Sequence, residues 1–431
     1  MMGALTTAMT PLQGSRSRPA RKRGLLLRLL PALLAGLTLA GCSGSRELPN
    51  VVYVVASISN DQAIDAELLE EFRDRLDSLS TGYRQLHPAT HFQFGIYPDE
   101  WILPAITRRT HAGLGPDLLF VNGQIAKRML DRGLVDPFPT TDSLERLFNP
   151  IDLQRMRTSR GALAGLPVLI QSQVACFNRK RLPQPPSTLE ELLSASAHGH
   201  NIGMSIDAIS LFWTAGSMGA VQALNRTVAG EIPTPGERQQ IVDWLRWLEE
   251  ASNQQRLTFY PNQASVMTEF MAGRLDWITC SSVSLMRLRK SLGPDLGVSA
   301  LPRGPGGPAT PVNRLRVLAL GHSSSQAGRD RAVAFSRYSV NPLAQRSLTL
   351  GSQTMVPANR FVKVPVQSSV MLQALSTSVA DGRSSDVMAD RLQDNDPRVQ
   401  RAQGLITELV FGEVTPQGAA DALLQLFRKQ R

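Results

Sequence analysis

Two apolar runs end in short clusters of side chains that both donate and accept hydrogen bonds. Val51-Val52-Tyr53-Val54-Val55-Ala56 leads into Ser57-Ile58-Ser59-Asn60-Asp61, and Asp117-Leu118-Leu119-Phe120-Val121 leads into Asn122-Gly123-Gln124. Hydroxyls and carboxamides grouped in this way suit a ligand rich in hydroxyl groups, so Ser57, Ser59, Asn60, Asn122 and Gln124 are candidate contacts. More reactive chemistry has no comparable cluster. The chain holds no Gly-x-Ser-x-Gly nucleophile elbow, no Walker-type phosphate loop and no persuasive pair of carboxylates, so no catalytic residue and no cofactor are expected. His198-Gly199-His200 stands alone in a Ser/Ala/Gly stretch and reads as solvated surface rather than a metal site. The tyrosines Tyr53, Tyr83, Tyr97, Tyr260 and Tyr338 are isolated, which argues against iron binding.

Cys42 carries chemistry of a different kind. It closes Leu39-Ala40-Gly41-Cys42, after the cations Arg16, Arg18, Arg21, Lys22, Arg23 and Arg28 and the apolar stretch Leu29 to Leu39. This is the order of a bacterial lipoprotein signal, and the apolar stretch is shorter than the roughly 20 residues a membrane span needs. Residues 1–41 are therefore expected to be a signal peptide, with Cys42 the lipidated first residue and 42–50 a flexible tether. The expected location is outside the cell membrane, lipid-anchored, facing the periplasm or extracellular side. Removal of the leader also lowers the formal charge from +10 to +4, which excludes nucleic acid as the expected partner.

About 390 residues remain, more than one hydrophobic core accommodates, so two lobes are expected. Cys176 and Cys280 each sit in an apolar, strand-like run. Both a disulfide and two buried thiols are compatible with an exported chain. Short apolar runs alternate with amphipathic stretches from Val51 onward, the pattern of an α/β protein. Ile64, Leu68, Leu69, Phe72, Leu76 and Leu79 have helical spacing after a polar turn at Ser57–Asp61 that supplies the N-cap. In open α/β sheets such strand ends border the ligand crevice.

Five blocks in fixed order give the chain a family resemblance. Gly115-Pro116-Asp117 with its strand and Gly133-Leu134-Val135-Asp136-Pro137-Phe138 form the first. Leu163-Ala164-Gly165-Leu166-Pro167-Val168 leads, eleven residues after Pro167, to Asn178 in Cys176-Phe177-Asn178-Arg179, and then to Pro185-Pro186-Ser187-Thr188-Leu189-Glu190-Glu191-Leu192. Ser187 and Glu190 there have the spacing of a capping box. Met267 to Ile278, Val298 to Gly304 and Phe411 to Leu423 complete the series, with Thr415 as N-cap and Pro416 at the first helical position. The chain resembles bacterial extracellular solute-binding proteins of the carbohydrate-type family that serve ABC transporters.

That resemblance implies a two-lobed periplasmic-binding-protein-like α/β fold, with two doubly wound sheets built from discontinuous segments and a cleft between them. Residues 51–169 and 315–353 are expected in lobe 1, and 170–314 and 354–431 in lobe 2. It implies a non-enzymatic receptor that closes on a sugar or polyol-like solute and delivers it to ABC permease subunits. By the same resemblance Gln171, four residues after Pro167, stands where a sugar-binding glutamate is common, with Ser172 and Gln173 beside it. Phe212 and Trp213 lie where a cleft aromatic is expected, and Ser281 and Ser282 occupy a strand end where the family has Gly-Pro-Trp, with Val283 near the place of that Trp. Trp277, Trp244 and Trp247 read as core. The neutral Gln171 and the missing ring leave two alternatives open: a receptor for a non-sugar solute, and a homologue acting as sensor or assembly partner.

Overall fold

The computed structural model describes residues 50–59, 64–392 and 396–428. Cys42, its leader, most of the tether and Asn60 lie outside the described residues. No described helix is long and apolar enough to cross a membrane.

Two mixed sheets organise the rest, the α/β two-lobed architecture expected from the resemblance. The first contains β1 (Asn50–Ile58), β2 (Thr90–Pro98), β3 (Leu118–Asn122), β4 (Val135–Asp136), β5 (Leu166–Gln171), β11 (Arg314–Gly321) and β12 (Val356–Pro357), in the order β12-β5-β11-β3-β1-β2 with β4 beside β11. The second contains β6 (Gln173–Asn178), β7 (Ile202–Ser205), β8 (Leu257–Tyr260), β9 (Trp277–Ser281) and β10 (Leu296–Ser299), in the order β10-β6-β9-β7-β8. Each sheet takes non-contiguous stretches of chain. β1 pairs in parallel with both β2 and β3, so three carboxyl ends point the same way, as a crevice at one sheet edge requires.

β1 runs through Ile58, two residues beyond the apolar run, because Ser57 and Ile58 keep their pairing with Tyr97 and Pro98. The turn expected at Ser57–Asp61 is therefore shifted. Asp65, not a residue of that turn, caps the following helix Ala66–Leu86 by accepting the Leu68 amide proton at 2.9 Å. A similar slip occurs at the expected Ser187/Glu190 box. Thr188 is the N-cap, accepting from Glu191 N at 3.1 Å, while Glu191 takes both the amide and hydroxyl protons of Ser187. Two overlapping Ser/Thr-x-x-Glu registers exist in Ser187-Thr188-Leu189-Glu190-Glu191, and the chain uses the second. Thr415 does cap the terminal helix Pro416–Arg428, accepting from Gly418 N at 3.2 Å.

Helices Ala66–Leu86, Asp99–His111 and Gln326–Ser339 pack on the first sheet. One apolar cluster runs from this sheet through the crossing strands to one side of the second sheet, from Val52 and Val121 to Val174 and Ile278. A second cluster joins that sheet to the helices Ala208–Ser217, Pro235–Ser252, Pro397–Val410 and Pro416–Arg428. Trp244, Trp247 and Trp277 belong to it. Cys176 and Cys280 form a disulfide between β6 and β9, with Cα atoms 5.9 Å apart and a sequence separation of 104. The antiparallel pairing of these strands brings the two thiols together: Val174 faces Cys280 and Cys176 faces Ile278.

Candidate ligand-binding cleft

A single residue separates the strands where the chain first crosses between sheets: β5 ends at Gln171, β6 begins at Gln173, and Ser172 lies between. The return crossing enters β11 at Arg314, directly opposite Gln171. Gln171, Ser172, Gln173, Ser210, Gln263, Ser281 and Arg314 line one small polar cavity against Ile209 and Val312. This hinge floor combines residues from both sheets.

Its hydrogen-bond bookkeeping is incomplete in one direction. Ser172 donates its amide proton to Ser282 Oγ at 3.3 Å and accepts from the Ser282 amide at 2.9 Å, but its own Oγ is buried without a partner. Gln173 donates from Nε2 to the Ser210 carbonyl at 3.2 Å, and Gln263 donates to the Thr279 carbonyl at 2.6 Å. Both leave their Oε1 atoms buried and unpartnered. A polar atom so placed costs stability until something bonds it. All three side chains line one space, where small shifts that expose these oxygens would suit a ligand that presents hydroxyl donors.

The first sheet supplies a second crevice, lined by Ser57, Ser59, Gln171 and Arg316 together with Phe72, Leu76 and Leu348, and touched from the other side by Val283. Arg316 dominates it electrostatically. The residue is 3 % exposed, and its guanidinium donates to the Ser57 carbonyl at 2.6 Å and the Phe120 carbonyl at 3.0 Å, approaches Ser57 Oγ at 3.3 Å, and lies 4.8 Å from the Phe120 ring centre. Burial lowers its pKa, opposed by Asp99 at 3.9 Å. Ser57 is fully buried and serves this arginine. Ser59 stands 3.5 Å from Arg314 Nη1.

Asn122 is likewise engaged locally, since its Oδ1 accepts from Gln124 N at 3.2 Å and caps the helix Gly123–Asp131. Asn122 and Gln124 line the mouth of a third space, an apolar recess that also meets Ile209, Val312 and Arg314 of the hinge floor. Phe212 faces this recess. Trp213, expected at the ligand, is instead fully buried in the second core cluster. The helix Ala208–Ser217 is buried on every side from Leu211 onward, so adjacent rings point into different packed environments. Ser281 borders the hinge floor, while Ser282 is completely buried and engaged with Ser172.

Several site residues escaped the sequence reading. Gln263 follows the apolar run of β8 in the polar tip Tyr260-Pro261-Asn262-Gln263, the same strand-end signal that marked Asn122. Arg314 and Arg316 alternate at the start of an otherwise apolar strand, which places both on one face. Around the hinge, Arg155 pairs with Asp386 at 3.2 Å and donates to the Asn313 carbonyl at 2.7 Å, while Asn313 donates to both Asp386 oxygens. Burial raises the Asp386 pKa to about 6, with Arg155 and Asn313 pulling it down. Farther out, Arg287 pairs with Asp65 at 2.5 Å and Lys290 pairs with Glu67, joining the helix Leu285–Leu292 to the start of Ala66–Leu86. Asp65 is held below its usual pKa by the Leu68 amide and by Arg287. Among the described residues no group of three His, Cys, Asp or Glu side chains could hold a metal ion.

The architecture matches solved structures of sugar receptors. The GacH receptor of Streptomyces glaucescens GLA.O, solved unliganded and with acarbose, superposes with a TM-score of 0.68 at 16% identity over 88% of this chain and 100% of that one. The maltose-maltodextrin binding protein of Alicyclobacillus acidocaldarius gives 0.62 at 19% identity over 88% and 100%. A solute-binding protein of Thermotoga lettingae bound with α-D-tagatose gives 0.62 at 14% identity over 88% and 98%. At these identities the likeness defines the fold, which is the two-lobed fold of ABC-transporter solute-binding proteins. No family model matches the sequence, and no curated protein matches it.

Proposed function

We propose that this chain is a receptor for a small hydroxyl-rich solute, a sugar or polyol-like compound, which it captures by closure of the two lobes and delivers to an ABC importer. The observation that carries this reading is the hinge floor, where Ser172 Oγ, Gln173 Oε1 and Gln263 Oε1 are buried acceptors without donors. A polyol can supply such donors, whereas an apolar solute leaves all three unsatisfied. Gln171, Ser59 and Ser281 add polar surface nearby. The fold shared with receptors for acarbose, maltodextrin and tagatose supports the same class of solute. No step requires a catalytic residue. The lobes are proposed as residues 51–169 with 315–353, and 170–314 with 354–431, with the borders shifted so that Ile170, Gln171, Arg314, Val356 and Pro357, which pair within the first sheet, belong to lobe 1.

Thermal unfolding in the presence of a panel of mono- and disaccharides, glycosides and polyols tests the proposal. At least one member raises the midpoint in a concentration-dependent way, as a native-state ligand must. No shift across the panel overturns it in favour of a sensor or assembly role. Lipid anchoring through Cys42 belongs to the same reading, because confinement near the membrane raises the effective concentration of the receptor at its permease. Cys42→Ser releases the chain from membranes if this is right; retention of the variant in the membrane fraction sinks the anchor.

A further inference from the structure

Beside the polar floor lies a space of opposite character, and the two share lining residues. The recess opens at Asn122, Gln124 and Arg314, shares Ile209 and Val312 with the hinge floor, and extends between helices of the second lobe. Its depth is lined by Phe212, Trp244, Met388, Ile406, Leu423 and Phe427, and its cavity volume is about 80 Å³. The recess lies next to well-packed cores. Phe212 meets Trp244 edge-on at 6.4 Å, and Trp244 Nε1 is already bonded to Thr214 Oγ1 at 2.8 Å, so the ring offers no polar group to a ligand.

Arg155 and Asn313 also line this space, but a sugar ring pushed among Phe212, Trp244, Ile406, Leu423 and Phe427 would lose its water without gaining partners, which is unfavourable. Hydrocarbon there leaves water at no polar cost. We propose that the solute is amphipathic: a hydroxyl-rich head bound at the hinge floor and an apolar substituent, a short alkyl chain or an aromatic ring, seated in the recess. This deepens the sugar-receptor reading and rests on it. The geometry requires the substituent to leave the head on the side of Ile209, Val312 and Arg314, the three residues common to both spaces.

Calorimetric titration of the full chain with matched pairs of methyl and n-hexyl glycosides of glucose, galactose, mannose and xylose, with n-hexanol as apolar control, tests it. In at least one pair the hexyl compound binds at least tenfold tighter than the methyl one, since each buried methylene contributes about fourfold. Ala402→Phe, which fills the recess from the helix Pro397–Val410, removes that gain and leaves methyl glycoside binding unchanged. Should that variant fail to fold, Val399→Phe on the same lining serves. Equal affinity within every pair, or a gain untouched by filling, overturns the amphipathic solute while the sugar receptor stands on its methyl glycosides. Hexanol binding as tightly as every hexyl glycoside overturns the sugar head instead. No binding in any arm overturns both.

Discussion

The walls that the two sheets present to the cleft differ in how their polar groups are employed. On the first-sheet side Ser57 holds Arg316 and Asn122 caps a helix, so the side chains at those strand ends already have partners. At the hinge and on the second-sheet side, Ser172, Gln173 and Gln263 each retain a buried oxygen without one. Polar residues at equivalent strand ends are thus scaffold in one wall and ligand capacity in the other. The second lobe can leave such groups open because it is held elsewhere, by the Cys176–Cys280 bond and by a helical layer packed around four buried tryptophans.

The contrast can be broken most forcefully at Trp213. If the second lobe depends on its packed rings, Trp213→Ala costs about 3–5 kcal/mol in urea unfolding; normal stability with lost solute binding would move that ring to the ligand instead. Next in size is the staple. Replacing Cys176 and Cys280 with serine lowers stability by about 2–4 kcal/mol, and a reductant does the same to the native chain but not to the double variant. Equal stability of native and variant proteins under oxidising conditions would show that the bond contributes nothing.

Asp386 supplies a pH test at the join between the walls. Its folded pKa of about 6 lies above the ordinary carboxylate value, so its contribution to stability is fully present below about pH 4 and is lost as pH rises through 6. Asp386→Asn removes this dependence. The stability difference between variant and native protein should therefore change in favour of the variant by on the order of 2 kcal/mol between pH 4 and 7, then level off. A flat difference would mean that Arg155 and Asn313 offset burial completely.

Smaller effects separate scaffold from ligand capacity directly. Asn122→Ala should cost about 1 kcal/mol of stability through the lost cap, with solute affinity changed less than twofold. Gln263→Leu should do the reverse, weakening a bound sugar about tenfold by removing one acceptor. Interchanged outcomes would invert the comparison. Smallest of all is the pair of surface contacts Asp65–Arg287 and Glu67–Lys290, whose attraction is screened as the Debye length falls from about 30 Å in 0.01 M salt to about 3 Å in 1 M. Scattering from the ligand-free protein should widen slightly over that range, and identical profiles would remove these contacts from any role in holding the lobes together.

The sequence exposed repeating patterns better than it exposed partnerships. β1, the parallel neighbours it implies, the buried Trp244, Trp247 and Trp277, and the Thr415 cap all follow from local runs that admit one reading. Where two registers overlap, as at Ser187 and Thr188, spacing could not choose. Trp213 was hard to place because Leu211-Phe212-Trp213 in an all-round apolar helix has no polar face to orient it. The Cys176–Cys280 bond depends on strand pairing across 104 residues, information no local stretch contains. The open oxygens of the hinge floor are further still from view, since a missing partner is a property of the folded surroundings.

The shortness of the crossing at Ser172 has a mechanical consequence. Atoms near a pivot move little when jaws close, so a solute held by Gln171, Ser172, Gln173 and Arg314 meets nearly the same groups whether the lobes are apart or together. Contacts equal in both forms set how tightly the solute is held and exert no torque on the hinge. On the proposed reading, torque must come from groups farther out than Ser59, which stands 3.5 Å from Arg314, or Ser281, which pairs directly with Gln173. Anchoring and actuation are then separable, and a solute that satisfies the pivot but misses the jaws would occupy the receptor without signalling its presence.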